Sequence, residues 1–105
     1  MSSDAATIEL DGSTLRVAGA VDASTVVTLR NRGEALIQAA GGSLAVDLSG
    51  LVTAHSVVLS MLLCWQRLAL KNQTVLSFEG VSDRLRSLAA LSNLDDQIPG
   101  FASHS

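Results

Sequence analysis

Between Val57 and Leu70 the chain is almost wholly apolar, VVLSMLLCWQRLAL, in a protein of only 105 residues. A run of this size has to be placed before any other segment can be. It is too short to span a bilayer, which asks for about 20 apolar residues, and Gln66 and Arg67 interrupt it. The reading is a long helix from His55 or Ser56 to about Lys71. Arg67 and Lys71 then lie near its C-terminus, where positive charge complements the helix dipole. A chain this small builds one core rather than two, so the rest of the sequence has to wrap around this helix. Apolar residues make up 48% of the whole, enough for a packed domain and too many for a disordered chain.

The segments on either side read as strands and helices in alternation. Thr7 to Leu10 and Thr14 to Val21 flank Asp11-Gly12-Ser13, and Asp-Gly between β-type runs signals a hairpin. Leu15, Val17 and Gly19 alternate with Arg16 and Ala18, which suits a strand with one buried face. Asp22 to Ser24 offer N-caps to a helix on which Val26, Leu29, Gly33, Leu36, Ile37 and Ala40 recur at helical spacing, and Gly41-Gly42 stops it. Ser43 to Leu48, SLAVDL, reads as a short strand buried on both faces. Ser49 to Ala54 form a loop before the long helix, and Thr74 to Glu79 form another strand. Ser82 or Asp83 then caps a last helix carrying Leu85, Leu88, Ala89, Leu91 and Leu94. The order β-β-α-β-α-β-α predicts a single α/β domain over residues 1–105: a small mixed sheet, an opening hairpin followed by parallel strands, covered by about three helices. Its core runs from about 7 to 94, and 95–105 is a short tail.

Composition narrows the function. The net charge is −3 and the seven Lys and Arg are scattered, which argues against a phosphate-backbone binder, so no nucleic acid is expected. The one cysteine, Cys64, forms no internal disulfide and reads as a small buried hydrophobe. Two histidines and one cysteine far apart do not make a metal site, and none is expected. No glycine pattern cradles a phosphate before a helix, so no cofactor is expected. Met1 to Ala6 show no signal peptide, and the expected setting is soluble, reducing and cytoplasmic.

Chemistry at the head of the long helix comes next, because His55 and Ser56 sit there side by side. Neighbours on a helix point about 100° apart and do not face one another, there is no G-x-S-x-G elbow, and the other histidine is His104. An enzyme is therefore not expected. Asp47 could pass for a general base; the plainer reading is a strand-end carboxylate accepting backbone N–H groups. On the helical wheel Ser56, Ser60, Arg67 and Lys71 fall on one stripe bordered by Leu59 and Leu63, while Val58, Met61, Leu62, Trp65, Leu68 and Ala69 fill the opposite face. Two readings of Ser56 stay open. In one it is only an N-cap, worth about 1 kcal/mol, with the leucines packing locally. In the other the cap also lies in a surface that meets another protein, made by His55, Ser56, Leu59, Ser60 and Leu63.

DLSGLVTAHSVVLSML resembles the signature of STAS domains: Asp-Leu-Ser, an apolar position, a few residues, then Asp-Ser/Thr and a small residue opening a helix. GAVDAST, Gly19 to Thr25, resembles the family's Gly-x-Leu/Val-Asp before its first helix. FEGVSDRLRSLAALSNL is similar to the closing strand and helix of the MlaB branch, the cytoplasmic STAS subunit of the Mla phospholipid-transport ABC complex. The resemblance implies the STAS fold and no enzymatic activity. It implies docking on an ABC transporter ATPase (MlaF-like), in a complex with a permease (MlaE-like) and a substrate-binding protein (MlaD-like), peripheral to the inner membrane without inserting in it. The rival that it implies is an anti-sigma-factor antagonist phosphorylated at the residue matching Ser56. His55 stands where the family usually has Asp, and Val58 where it has a small residue. Both departures weaken the phosphorylation reading and leave docking intact.

Overall fold

The opening hairpin forms where the Asp-Gly pair places it. In the computed structural model, which describes residues 6–52, 56–94 and 98, strand β1 (Thr7–Asp11) pairs antiparallel with β2 (Thr14–Gly19). Gly12 takes the left-handed backbone at the first turn position, φ 64°, a conformation that glycine adopts without a Cβ penalty. Helix α1 (Val26–Ala40) follows, then β3 (Ser43–Leu51), α2 (Ser56–Lys71), β4 (Val75–Glu79) and α3 (Asp83–Leu91). The strands lie in the order β1-β2-β3-β4, with β2, β3 and β4 parallel. The expected element order and mixed sheet are what the chain forms.

The register separates the two faces of the sheet. Ile8 opposes Val17, Leu15 opposes Val46, and Val46 opposes Phe78; all are buried. The next row reads Glu9, Arg16, Asp47, Glu79 across all four strands, and it is exposed or half-buried. The helices therefore cover one face only. This corrects the reading of SLAVDL as buried on both faces: Leu44, Val46 and Leu48 are buried, whereas Ala45 and Asp47 face the open side and are half-buried. Parallel strands read as continuous apolar runs when helices cover both faces; here the two crossovers pass on the same side, and the strands alternate instead.

The core joins that apolar sheet face to Leu29 and Ile37 of α1, Leu85 and Ala89 of α3, and six residues of α2. Its centre is Trp65, fully buried, whose indole N–H donates to the Arg30 carbonyl at 3.1 Å. The ring lies over Gly33, where a Cβ would come within 2.2 Å of it. Gly33 is thus the residue that lets α1 and α2 approach. Ile98, which falls in the expected tail, is buried in the same core at 1% exposure.

Candidate functional site

The site builds up from the ends of β2 and β3. Arg16 of β2 stands opposite Asp47, but Ala18 stands opposite Gly50, so β3 carries one extra residue there. Such a bulge frees a backbone N–H and bends the strand. The Asp47 carboxylate accepts that of Ser49 at 3.0 Å. Asp47 accordingly lies below the usual carboxylate range, chiefly through the Ser49 amide, with the Ser49 side chain and Arg16 adding to it. The strand carboxylate has the backbone-accepting role expected of it. β3 ends at Leu51, and the next residue, Val52, is 62% exposed and donates its N–H to the Gly19 carbonyl.

The entry to α1 is held in a similar way. Asp22 accepts from the Ser24 hydroxyl at 2.6 Å, the Ser24 amide at 2.8 Å and the Thr25 amide at 3.0 Å. Its carboxyl is held below the usual range, with the Ser24 hydroxyl as the largest cause. Thr25, immediately before the helix, makes no side-chain cap bond, so the Asp22 loop orders this end one turn earlier than a simple N-cap would.

Helix α2 begins at Ser56, which is exposed. Ser56 is itself the first helical residue. His55, expected beside it in a partner surface, lies outside the described residues. Ser60, Arg67 and Lys71 are exposed along the predicted stripe. Leu59 is not part of that surface: it is 0% exposed and belongs to the core. Leu63 is half-buried and packs against the core. The physical reason is that α2 packs against both α1 and α3, which leaves Ser56, Ser60, Arg67, Leu70 and Lys71 exposed and takes Leu59 inside.

Beside the serine stripe runs a groove of about 100 Å³ between α1 and α2, lined by Val26, Val27, Arg30, Val57, Ser60, Met61 and Cys64. Of the expected surface residues it contains Ser60. Val27, 52% exposed, and Arg30 were not singled out by the sequence: on an α1 wheel Val27 falls on the polar side, and Arg30 is a charged residue at the edge of the apolar stripe beside Ile37. A run of valines opening α1, facing another opening α2, was the signal available. Among the described residues no cluster of His, Cys, Asp and Glu could hold a metal ion, and no helix is long and apolar enough to cross a membrane.

The family model described as Mlab, STAS domain, matches residues 5–100. The chain belongs to the STAS-domain family, of the MlaB kind. Among solved structures, the anti-sigma-factor antagonist SpoIIAA in its unphosphorylated form is similar at a TM-score of 0.70 and 18% identity, over 90% of this chain and 85% of that one. An anti-sigma-factor antagonist from Mycobacterium paratuberculosis is similar at 0.74 and 22% identity, over 93% and 86%. At these identities the likeness is one of fold: the STAS domain here has the sheet and helices of those proteins. No curated protein matches the chain.

Proposed function

We propose that this STAS domain is a docking subunit without catalysis of its own. It binds the ATPase of an inner-membrane ABC transporter for phospholipid trafficking and so supports outer-membrane lipid asymmetry. The observation that carries the reading is the MlaB-type match over residues 5–100. The site supports it: an exposed serine stripe beside an apolar groove, on a helix with no acidic residue, is built for contact rather than turnover. Ser56→Arg tests it. The long cation stands at the positive end of the helix dipole and in the contact surface. Pull-down of the ATPase should fall at least tenfold, by about 1.4 kcal/mol, while the thermal melt of the isolated domain stays near that of the unaltered chain. Undiminished pull-down places the interface elsewhere.

A second reading has an observation of its own. Ser56 is exposed at a helix N-terminus, where a phosphate is electrostatically welcome, and both solved structures named above are anti-sigma-factor antagonists. Under that reading a partner kinase phosphorylates Ser56, and the modification releases the domain from it. Phosphate incorporation by such a kinase, absent in Ser56→Ala, would favour this reading over the transporter.

A further inference from the structure

The groove between α1 and α2 has a chemical bias of its own. Val26, Val27, Val57, Met61 and Cys64 make it apolar, while Arg30 supplies the one charged side chain among the described residues of its lining. The Arg30 Nε is buried and has no hydrogen-bond acceptor among the described residues. Glu34, one turn on, forms a half-exposed i,i+4 ion pair with it at 3.9 Å, too long for a hydrogen bond. The rest of the guanidinium is within reach, since the Arg30 side chain is 43% exposed, and a carboxylate is the strongest acceptor for it. The charge around the groove points the same way. Among the described residues the groove's lining holds the Arg30 cation and no carboxylate, although the chain as a whole is at −3.

Building on the docking reading above, we propose that the α1/α2 groove receives a segment of the partner protein that inserts one aliphatic side chain and places an Asp or Glu carboxylate on Arg30. The volume suits that occupant. An apolar cavity of about 150 Å³ takes a benzene ring, so one of about 100 Å³ takes a branched aliphatic side chain. Val27, half-exposed at the rim, is covered when the segment seats.

The groove is tested first without any partner. The isotope-labelled full chain is titrated with 4-methylpentanoate and, separately, with 4-methylpentylamine, while amide NMR shifts are followed. The carboxylate should bind in the millimolar range with shifts centred on Val26, Val27, Arg30, Val57, Ser60, Met61 and Cys64, and Arg30→Gln should abolish them. The amine should leave these residues unmoved. Equal responses to both probes, or none to either, overturn the proposal. The ATPase then serves as the second probe. Val27→Asp and Arg30→Gln, each checked by thermal melt, should weaken its binding at least about tenfold. Normal ATPase binding by both variants, with Ser56→Arg defective, overturns the groove and leaves the docking reading standing. Failure of the unaltered chain to bind the ATPase overturns the docking reading, and the two small probes then decide the groove by themselves.

Discussion

At the residue scale the position with least freedom is Gly33. Replacing a helix-interior glycine by alanine ordinarily gains about 1 kcal/mol of helix propensity. Here the new methyl would stand 2.2 to 2.6 Å from three atoms of the Trp65 ring. That ring is fully buried and tied to the Arg30 carbonyl, so it has nowhere to move. Overpacking of this kind costs about 1–3 kcal/mol, and it wins. Gly33→Ala should destabilise the domain by about 2 kcal/mol in urea unfolding, followed through the fluorescence of the single tryptophan. Leu59 and Val27 make a second contrast. Leu59→Asp puts an unpaired carboxylate where exposure is 0% and should cost more than about 4 kcal/mol, unfolding the chain at neutral pH. Val27→Asp, at a half-exposed site, should leave the circular dichroism spectrum of the folded domain unchanged.

At the element scale the helix ends are informative. Gly41 is the left-handed cap of α1, at φ 61° with open space around its Cα, whereas the neighbouring Gly42 has an ordinary backbone and equally open space. Gly41→Ala should therefore cost about 1–2 kcal/mol from backbone strain alone, and Gly42→Ala should be neutral or slightly stabilising. Thermal melts of the two variants read the difference. The other two helices end in the same geometry without glycine. After α2, the Thr74 N–H donates to the Ala69 carbonyl and the Gln73 N–H to that of Leu70. After α3, the Leu94 N–H donates to Ala89 and the Asn93 N–H to Ala90. Gln73 and Asn93 hold the left-handed position in each, at φ 60° and 58°. Gln73→Gly should stabilise the domain, by up to about 1 kcal/mol.

For the whole molecule, acid should act through the loops that frame the site. The Asp22 and Asp47 carboxyls are both held below the ordinary aspartate value in the folded chain. A carboxyl with a depressed folded value stabilises the fold above its unfolded value, about 3.9, and loses that contribution as pH falls through the folded value. The melting temperature should hold down to about pH 5 and then decline. The double variant Asp22→Asn with Asp47→Asn should start lower at neutral pH and decline less steeply, because part of what protonation removes is already gone. A decline as steep as that of the unaltered chain would show that other carboxylates govern the acid response.

The element order, the hairpin at Asp11-Gly12, the helix over Ser56 to Lys71 and most of its buried face were legible in the residues, because periodicity and turn chemistry are local properties. Ser56 and Ser60 were legible as an exposed line for the same reason. Which flank of α2 stays free was not. Leu59 lies next to the serine stripe on the wheel, and only packing against the rest of the fold takes it into the core. The open sheet face was hidden in the same way, since a strand's sequence does not say on which side its crossovers will pass. The groove needs two helices brought together by Trp65 over Gly33, residues 32 positions apart in the chain. Local pattern sets what each segment is. The choice of which apolar side chains are covered, and by what, belongs to contacts between segments, and those exist only once the chain has folded.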